Sequence, residues 1–125
     1  MDDIERVERL LGNYIQRSVS FFDQYDLLLT PATIVPPYPV EQRYVESCNG
    51  VEFDNYIEWL TIAYAITVTG FPAMSLPVGF TKDSLPVGLQ ICAGPRAGRK
   101  VLSAASDLEK LLQLTTIPIE PILPA

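Results

Sequence analysis

Two stretches decide the fold of this 125-residue chain, Thr69-Gly70-Phe71-Pro72-Ala73-Met74-Ser75-Leu76-Pro77-Val78-Gly79-Phe80 and Ser84-Leu85-Pro86-Val87-Gly88-Leu89-Gln90. They predict two strands, over residues 73–80 and 86–93, joined by a short turn. A loop of that length between apolar runs favours an antiparallel hairpin. Pro77 and Pro86 have no amide hydrogen to donate, so they are expected at an edge, bend or end of a strand.

Helical patterns lie on both sides of this hairpin. Apolar residues at helical spacing predict an amphipathic helix over residues 2–24 and a last helix over 97–113. A third helix is predicted over 55–68, with Asp54 as its N-cap and Gly70 just past its end. The β-branched residues of this third segment also suit a strand, so that alternative stays open.

The remaining segments complete the predicted architecture. Residues 26–30 predict a short buried strand, and residues 31–52 an extended, proline-rich loop. Residues 115–125 form a proline-rich tail that is either docked through its isoleucines or disordered. The order helix, strand, helix, strand, strand, helix predicts an α/β (α+β) fold. We expect residues 1–125 to form a single partial domain, with a small mixed β-sheet that contains the hairpin and is flanked by helices.

Composition limits the classes of function. A formal net charge of −6 and a pI near 4.5 argue against a nucleic-acid-binding surface, which needs clustered basic residues. Two cysteines and no histidine provide neither a disulfide framework nor a familiar metal set, so no metal or cofactor is expected. The charged start lacks a signal peptide and no apolar run reaches the ~20 residues of a membrane span, so a cytoplasmic location is expected. A mean hydropathy of +0.19 indicates either an unusually rich core or apolar surface that faces a partner, and we favour the second.

Four stretches, in order and spacing, resemble enzymes of the amidase-signature family. They are Tyr25–Thr33, Trp59–Gly70, Pro72–Pro77 and Leu85–Gln90, and the last helix also matches in place. The resemblance runs from Met1 to about Leu114 and is that of the C-terminal portion of a family member, such as an amidase or the amidase-like component of a glutamyl-tRNA amidotransferase. It implies the C-terminal part of the amidase-signature fold.

The family hydrolyses amides, or transfers ammonia from them, with a Ser–Ser–Lys triad and an oxyanion site of backbone amides. A serine nucleophile requires an adjacent base, so a serine alone is not evidence of a site. None of the serines and lysines in this chain lies in a Gly/Ser-rich loop like that of the family: Ser18, Ser20, Ser47, Ser75, Ser84, Ser103, Ser106, Lys82, Lys100 and Lys110. The resemblance therefore implies that this chain holds no catalytic residue.

The resemblance also implies a substrate-binding role for the helix predicted over residues 55–68. In relatives, one face of this helix turns toward the acyl portion of the substrate, and here that face is Ile57, Leu60 and Tyr64. A spacing of three and then four residues puts the three side chains together. Glutamine-specific relatives place a carboxylate near Leu60, and leucine cannot pair an ammonium group, so an apolar or aromatic acyl group is expected. The alternative is that this stripe is core only, because core and pocket faces share one period.

Three functions remain open. The first is an amidohydrolase fragment, inactive alone, whose exposed apolar face is covered by a missing N-terminal portion or by a second copy of the chain. Open sheet edges favour a homo-oligomer built by strand exchange. The second is a non-catalytic interaction or assembly module, or one half of a split enzyme. The third is catalysis through Cys48 or Cys92, which the absence of a histidine base disfavours.

Overall fold

The computed structural model describes residues 2–113, so the prediction for the tail at residues 115–125 lies outside the described residues. The elements follow in chain order: α1 (Asp2–Phe22), β1 (Leu28–Pro31), β2 (Ser47–Cys48), β3 (Val51–Glu52), α2 (Thr61–Tyr64), β4 (Ala73–Phe80), β5 (Pro86–Cys92) and α3 (Gly98–Leu112). Single 3₁₀ turns flank α2, at Glu58–Leu60 and Thr67–Thr69. The α/β class, the hairpin and the flanking helices are confirmed.

Three strands form one sheet in the order β1-β5-β4. The predicted hairpin of β4 and β5 supplies two of them, and β1 adds to the other side of β5 with Leu28 opposite Cys92. Both pairings are antiparallel, whereas the sequence pattern predicts a mixed sheet. Within the described part of the chain, β1 runs antiparallel to β5 and no parallel strand belongs to this sheet. A bulge interrupts β4 between Pro77 and Gly79.

One face of the sheet packs against α3 to form the core. The buried residues of this core come from both strands of the hairpin, from the residue that follows β5 and from one side of the helix: Leu76, Ile91, Ala93, Val101 and Ala105. Strand residues two apart face the same side, so the core face alternates with an opposite face that carries Ser75, Pro77 and Gln90. That opposite face positions the candidate site.

The helix predicted over 55–68 is wrong in its continuity. Only Thr61–Tyr64 is α-helical, and the turns on either side are 3₁₀. Threonine hydroxyls bind nearby carbonyls: Thr61 Oγ1 donates to Glu58 O at 2.7 Å and Thr69 Oγ1 donates to Ile66 O at 2.6 Å. Such bonds compete with the α-helical pattern, and β-branched residues weaken it further. Gly70 ends the segment in the left-handed region, with φ of 69°, as predicted.

Asp54 is not the N-cap of this segment. Its backbone N–H donates to Glu58 Oε2 at 2.9 Å, and the first 3₁₀ turn has Ile57 as its N-cap, without a side-chain capping bond. Asn55 Oδ1 accepts from the Ile57 N–H at 2.9 Å just before the turn. The loop at 31–52 also contains a hairpin that the sequence pattern does not predict. Ser47–Cys48 pairs with Val51–Glu52 around Asn49 and Gly50, whose φ values of 51° and 79° are those of a tight hairpin turn.

Candidate functional site

The residues expected to face a substrate lie on one helical segment at the surface. Ile57 precedes the first 3₁₀ turn, Leu60 ends that turn and Tyr64 ends α2, and the backbone is right-handed helical at Ile57, Leu60 and Thr61. The side chain of Ile57 is 56% exposed and that of Tyr64 is 38% exposed, while Leu60 is half-buried. None of the three belongs to the core that α3 forms with the sheet. All three side chains are uncharged, and those of Ile57 and Tyr64 are exposed to solvent.

Two side chains from distant parts of the chain hold this segment in place. Gln90 Nε2, on β5, donates to the Ala63 carbonyl at 3.2 Å, and the Tyr14 hydroxyl, on α1, donates to the Ala65 carbonyl at 3.0 Å. Gln90 Oε1 in turn accepts from Thr30 Oγ1 at 3.3 Å. The carbonyls that a short helix leaves without partners are thus bound from both sides, which fixes the orientation of the exposed face.

A second feature, a groove of about 470 Å³, lies beside this segment. Tyr38 and Trp59 contact each other edge to face at its wall, with ring centroids 5.8 Å apart. The other lining residues are small or apolar apart from two hydroxyls: Ala32, Thr33, Val35, Pro36, Pro37, Ser75, Pro77, Pro86, Val87 and Gly88. Trp59 Nε1 is buried and has no hydrogen-bond partner among the described residues. No charged side chain lines the groove, so it suits an apolar group.

The floor of the groove contains a close approach at Gly88, where a side chain would press on its neighbours. A Cβ built on Gly88 would lie 3.0 Å from Ala32 Cβ and 3.2 Å from Ser75 Oγ. The Ala32 N–H donates to the Gly88 carbonyl at 3.0 Å, which holds the two backbones together. This groove was not among the sites predicted from the sequence, although the chain's one tryptophan and the prolines of two segments were visible signals.

Two of the lysines form ion pairs with aspartates instead of contacting a serine. Lys100 Nζ lies 2.6 Å from Asp26 Oδ1 and Lys110 Nζ lies 3.5 Å from Asp107 Oδ1. The hydrogen bond from Lys100 and its positive charge lower the pKa of the exposed Asp26 carboxyl. Lys82 is exposed in the turn between β4 and β5. In this arrangement Lys100 and Lys110 bind aspartates, and neither is placed as a base for a nucleophile.

Neither thiol hydrogen-bonds to a base in the described part of the chain. Cys92 is fully buried on β5, and burial raises the pKa of its thiol, which disfavours the nucleophilic thiolate. Cys92 Sγ donates to Gln90 Oε1 at 3.4 Å, and Cys48 Sγ donates to the Ile34 carbonyl at 3.8 Å. Neither contact provides a base.

Residues 2–113 contain neither a metal-binding cluster nor a membrane-spanning helix. No three histidine, cysteine, aspartate or glutamate side chains lie close enough to share a metal ion within that range. The same range contains no helix whose length and apolar character would let it cross a membrane.

Comparison with known proteins identifies the family to which this fold is related. The family model described as Amidase matches residues 3–102. The chain is 31% identical over 108 residues to an acylamidase of Rhodococcus erythropolis, covering 86% of this chain and 22% of that protein. It is 32% identical over 106 residues to a fatty acid amide hydrolase of Arabidopsis thaliana, covering 80% of this chain and 16% of that protein.

Solved structures agree with the sequence matches. A bacterial aryl acylamidase of the amidase-signature family superposes with a TM-score of 0.76 at 27% identity, covering 87% of this chain and 23% of that one. The chain thus spans about a fifth of the length of the relatives it matches. By both sequence and fold, it belongs to the amidase-signature family.

Proposed function

We propose that this chain forms one wall of the acyl pocket of an amidase-signature amidohydrolase, and that the Ser–Ser–Lys triad lies in segments outside it. The single observation that carries the proposal is that Ile57, Leu60 and Tyr64, all uncharged, lie at the surface, with Ile57 and Tyr64 exposed and Leu60 half-buried. The relatives include the acylamidase and the fatty acid amide hydrolase. Their names indicate substrates with an acyl group on nitrogen.

The chemistry of the face favours an apolar or aromatic acyl group. An ammonium group placed against Leu60 would lose water without gaining a partner, which costs several kcal/mol at a buried site. An apolar group gains about 25 cal/mol for each Å² removed from water. The bonds from Gln90 and Tyr14 to this segment support the same role, because a pocket wall fixed before binding spends less energy on ordering.

We propose further that the chain alone does not hydrolyse amides. Activation of a serine requires a base within about 3 Å, and Lys100 and Lys110 are paired with aspartates. The substrate is then a small carboxylic amide bound only in the complete enzyme, whose remaining portion is the chain's partner. A cytoplasmic location is part of this proposal, since both cysteines are free thiols.

The test is a chimera in which this chain replaces the matching segment of the Rhodococcus erythropolis acylamidase. Rates are measured on anilides that differ only in the acyl group, benzoyl against 4-aminobutanoyl. We expect the chimera to prefer benzoyl and the Leu60→Asp variant to shift the ratio of kcat/KM toward the amine by about tenfold or more, or ~1.4 kcal/mol. Leu60→Asn is the matched control, because it changes shape and polarity equally without adding charge.

The same ranking of substrates in Leu60→Asp and Leu60→Asn would show that the face does not contact the acyl group. Circular dichroism of the chimera, compared with that of the parent acylamidase, reports whether the chimera folds. Turnover of either anilide by the isolated chain would contradict the proposal that the triad lies elsewhere.

The alternative function is a non-catalytic assembly module or one half of a split enzyme. The exposed apolar residues of α1, among them Ile4 and Val7, favour some partner. Mixing the chain with a separately expressed catalytic portion discriminates the two forms of this alternative: hydrolysis restored on mixing indicates a split enzyme, and stable binding without hydrolysis indicates a module.

A further inference from the structure

The N-terminal half of α1 stands away from the rest of the described chain. Every residue from Asp3 to Tyr14 is exposed. The Tyr14 hydroxyl donates to the Ala65 carbonyl. Counted from the start of the helix, this is the first side-chain hydrogen bond between α1 and another part of the described chain. A helical segment of about a dozen residues is marginal in water on its own. Its stability therefore calls for a surface that covers it.

This half-helix carries a continuous apolar stripe. Ile4, Val7, Leu11 and Tyr14 repeat at spacings of three, four and three residues, the heptad pattern of a two-helix seam. Ile4 is 67% exposed and Val7 is 58% exposed, which is unusual for side chains at such positions. The stripe is about 15 Å long, since each residue adds about 1.5 Å.

We propose that the stripe is covered by α1 of a second copy of this chain, running antiparallel, in a two-fold symmetric dimer. In this register Ile4 packs against Tyr14 of the second copy and Val7 packs against Leu11 of the second copy. Each contact occurs twice, as a two-fold axis requires. Leu10, which flanks the stripe and is also exposed, meets its own counterpart near the axis.

Charge selects this orientation. We number the heptad so that Ile4 is at position a. Asp3 and Arg17 then lie at position g, on one flank of the stripe, and Glu8 lies at position e, on the other flank. Antiparallel helices pair equivalent flanks, so Asp3 faces Arg17 of the second copy, twice. The other flank brings Glu8 near its own counterpart once, so two attractive pairs oppose one repulsive pair.

A parallel dimer has the opposite balance. Parallel helices pair opposite flanks, which places Asp3 beside Glu8 of the second copy, twice. Like charges at such positions destabilise a helix pair by roughly as much as opposite charges stabilise it. The antiparallel arrangement is therefore the one that the sequence of α1 supports.

The first test measures the mass of the chain in solution by light scattering after gel filtration, at micromolar concentrations. We expect twice the chain mass of 13.9 kDa. Leu11→Glu, in the middle of the stripe, should return the mass to that of the monomer. Gln16→Glu adds the same charge to the exposed, opposite side of α1 and should leave the dimer intact. Circular dichroism of both variants confirms that each one folds.

The second test addresses the orientation. Asp3→Arg and Arg17→Asp should each weaken the dimer, measured as a rise in the dissociation constant of several-fold. The double variant should recover most of the affinity, because the exchanged charges pair again across the dimer, although the Asp3–Arg6 pair within each helix is lost. Arg9→Asp, on the opposite side of the helix, is the control for a change in net charge.

Three results would overturn the proposal. A monomeric wild-type chain would mean that the stripe serves another polypeptide, such as the remaining portion of an amidase. A dimer that survives Leu11→Glu would place the interface elsewhere. A dimer that depends on Leu11 but shows no recovery in the double variant would refute the antiparallel register. None of these results bears on the acyl pocket, which the chimera tests separately.

Discussion

The side-chain amide of Gln90 donates a hydrogen bond to the backbone carbonyl of Ala63 at 3.2 Å. This bond joins the central strand of the sheet to the short helix α2, which ends at Tyr64 and directly follows Leu60. It connects the part of the chain that the core holds most firmly to the part proposed to meet the substrate. The first prediction follows from it.

Replacing Gln90 with leucine should loosen the segment at 61–66. The Ala63 carbonyl would lose its donor, and Thr30 Oγ1 would lose its acceptor, so we expect destabilisation of about 1–3 kcal/mol. Hydrogen exchange of the amides at 61–66 should accelerate while the amides of α3 change less. Gln24→Leu, in the exposed turn after α1, is the matched control. Equal exchange at 61–66 in both variants would show that the bond does not hold the segment.

Gly88 and Gly12 should respond to alanine in opposite directions. A Cβ at Gly88 would press on Ala32 Cβ, which its own backbone bond holds in place, so we expect Gly88→Ala to cost about 1–3 kcal/mol. A Cβ at Gly12 meets nothing within 4 Å, and alanine favours a helix over glycine by roughly 0.5–1 kcal/mol. Urea denaturation measures the change in free energy of unfolding for Gly88→Ala and for Gly12→Ala. A neutral Gly88→Ala would mean that the groove floor can widen.

Cys92 should be protected from alkylation in the folded chain. It is fully buried and its thiol pKa is raised by burial, whereas Cys48 is only half-buried. Iodoacetamide followed by peptide mass mapping should label Cys48 first and Cys92 only as the chain unfolds. Comparable labelling of both thiols in the native chain would contradict the buried position of Cys92.

The raised pKa of Cys92 also sets a pH dependence of stability. Below the ordinary thiol pKa of 9.0 the thiol is protonated in both the folded and unfolded states. Above it the unfolded state loses its proton first, so stability should fall as the pH rises further. The Cys92→Ala variant lacks this contribution. The difference in free energy of unfolding between the wild-type chain and the variant should therefore narrow as the pH rises above 9.0. A constant difference would mean that the thiol titrates normally in the folded state.

Trp59 provides an intrinsic probe of the groove, because it is the chain's one tryptophan. Its packing against Tyr38 should give emission at shorter wavelength than a free indole. Tyr38→Ala should shift the emission to longer wavelength and cost about 0.5–1.5 kcal/mol for the lost aromatic pair. Tyr25→Ala loses a comparable stack on Phe21 outside the groove, and it should leave the emission unchanged. A shift of equal size in both variants would argue against a shielded indole.

The fold was predictable wherever a pattern persists over several turns or along a whole strand. The period of α1 and α3 and the apolar runs of β4 and β5 placed these elements within about two residues of their observed bounds. The segment at 55–68 was not predictable as one element, because the hydroxyls of Thr61 and Thr69 bind local carbonyls. The hairpin around Asn49 and Gly50 has strands of two residues, too short for any period to appear.

The candidate site was predictable only in part, for a related reason. Ile57, Leu60 and Tyr64 belong to one local repeat, so spacing alone grouped them, and their role at the acyl group stays a prediction. The groove draws Tyr38, Trp59 and Gly88 from three separate segments. Their meeting depends on strand register and on the close contact at Gly88, which no local pattern encodes.

The bulge in β4 has a consequence for how the chain behaves at high concentration. β4 and β1 are the outer strands of the sheet, and an outer strand with regular free amides can recruit further strands and seed fibrils. Here Pro77 removes one donor, the irregularity before Gly79 breaks the repeat, and β1 spans four residues and ends at a proline. These features of the two edge strands make edge-to-edge pairing with another sheet unfavourable. If the chain is a piece of a larger enzyme, as proposed above, it can thereby remain in solution long enough to meet its partner.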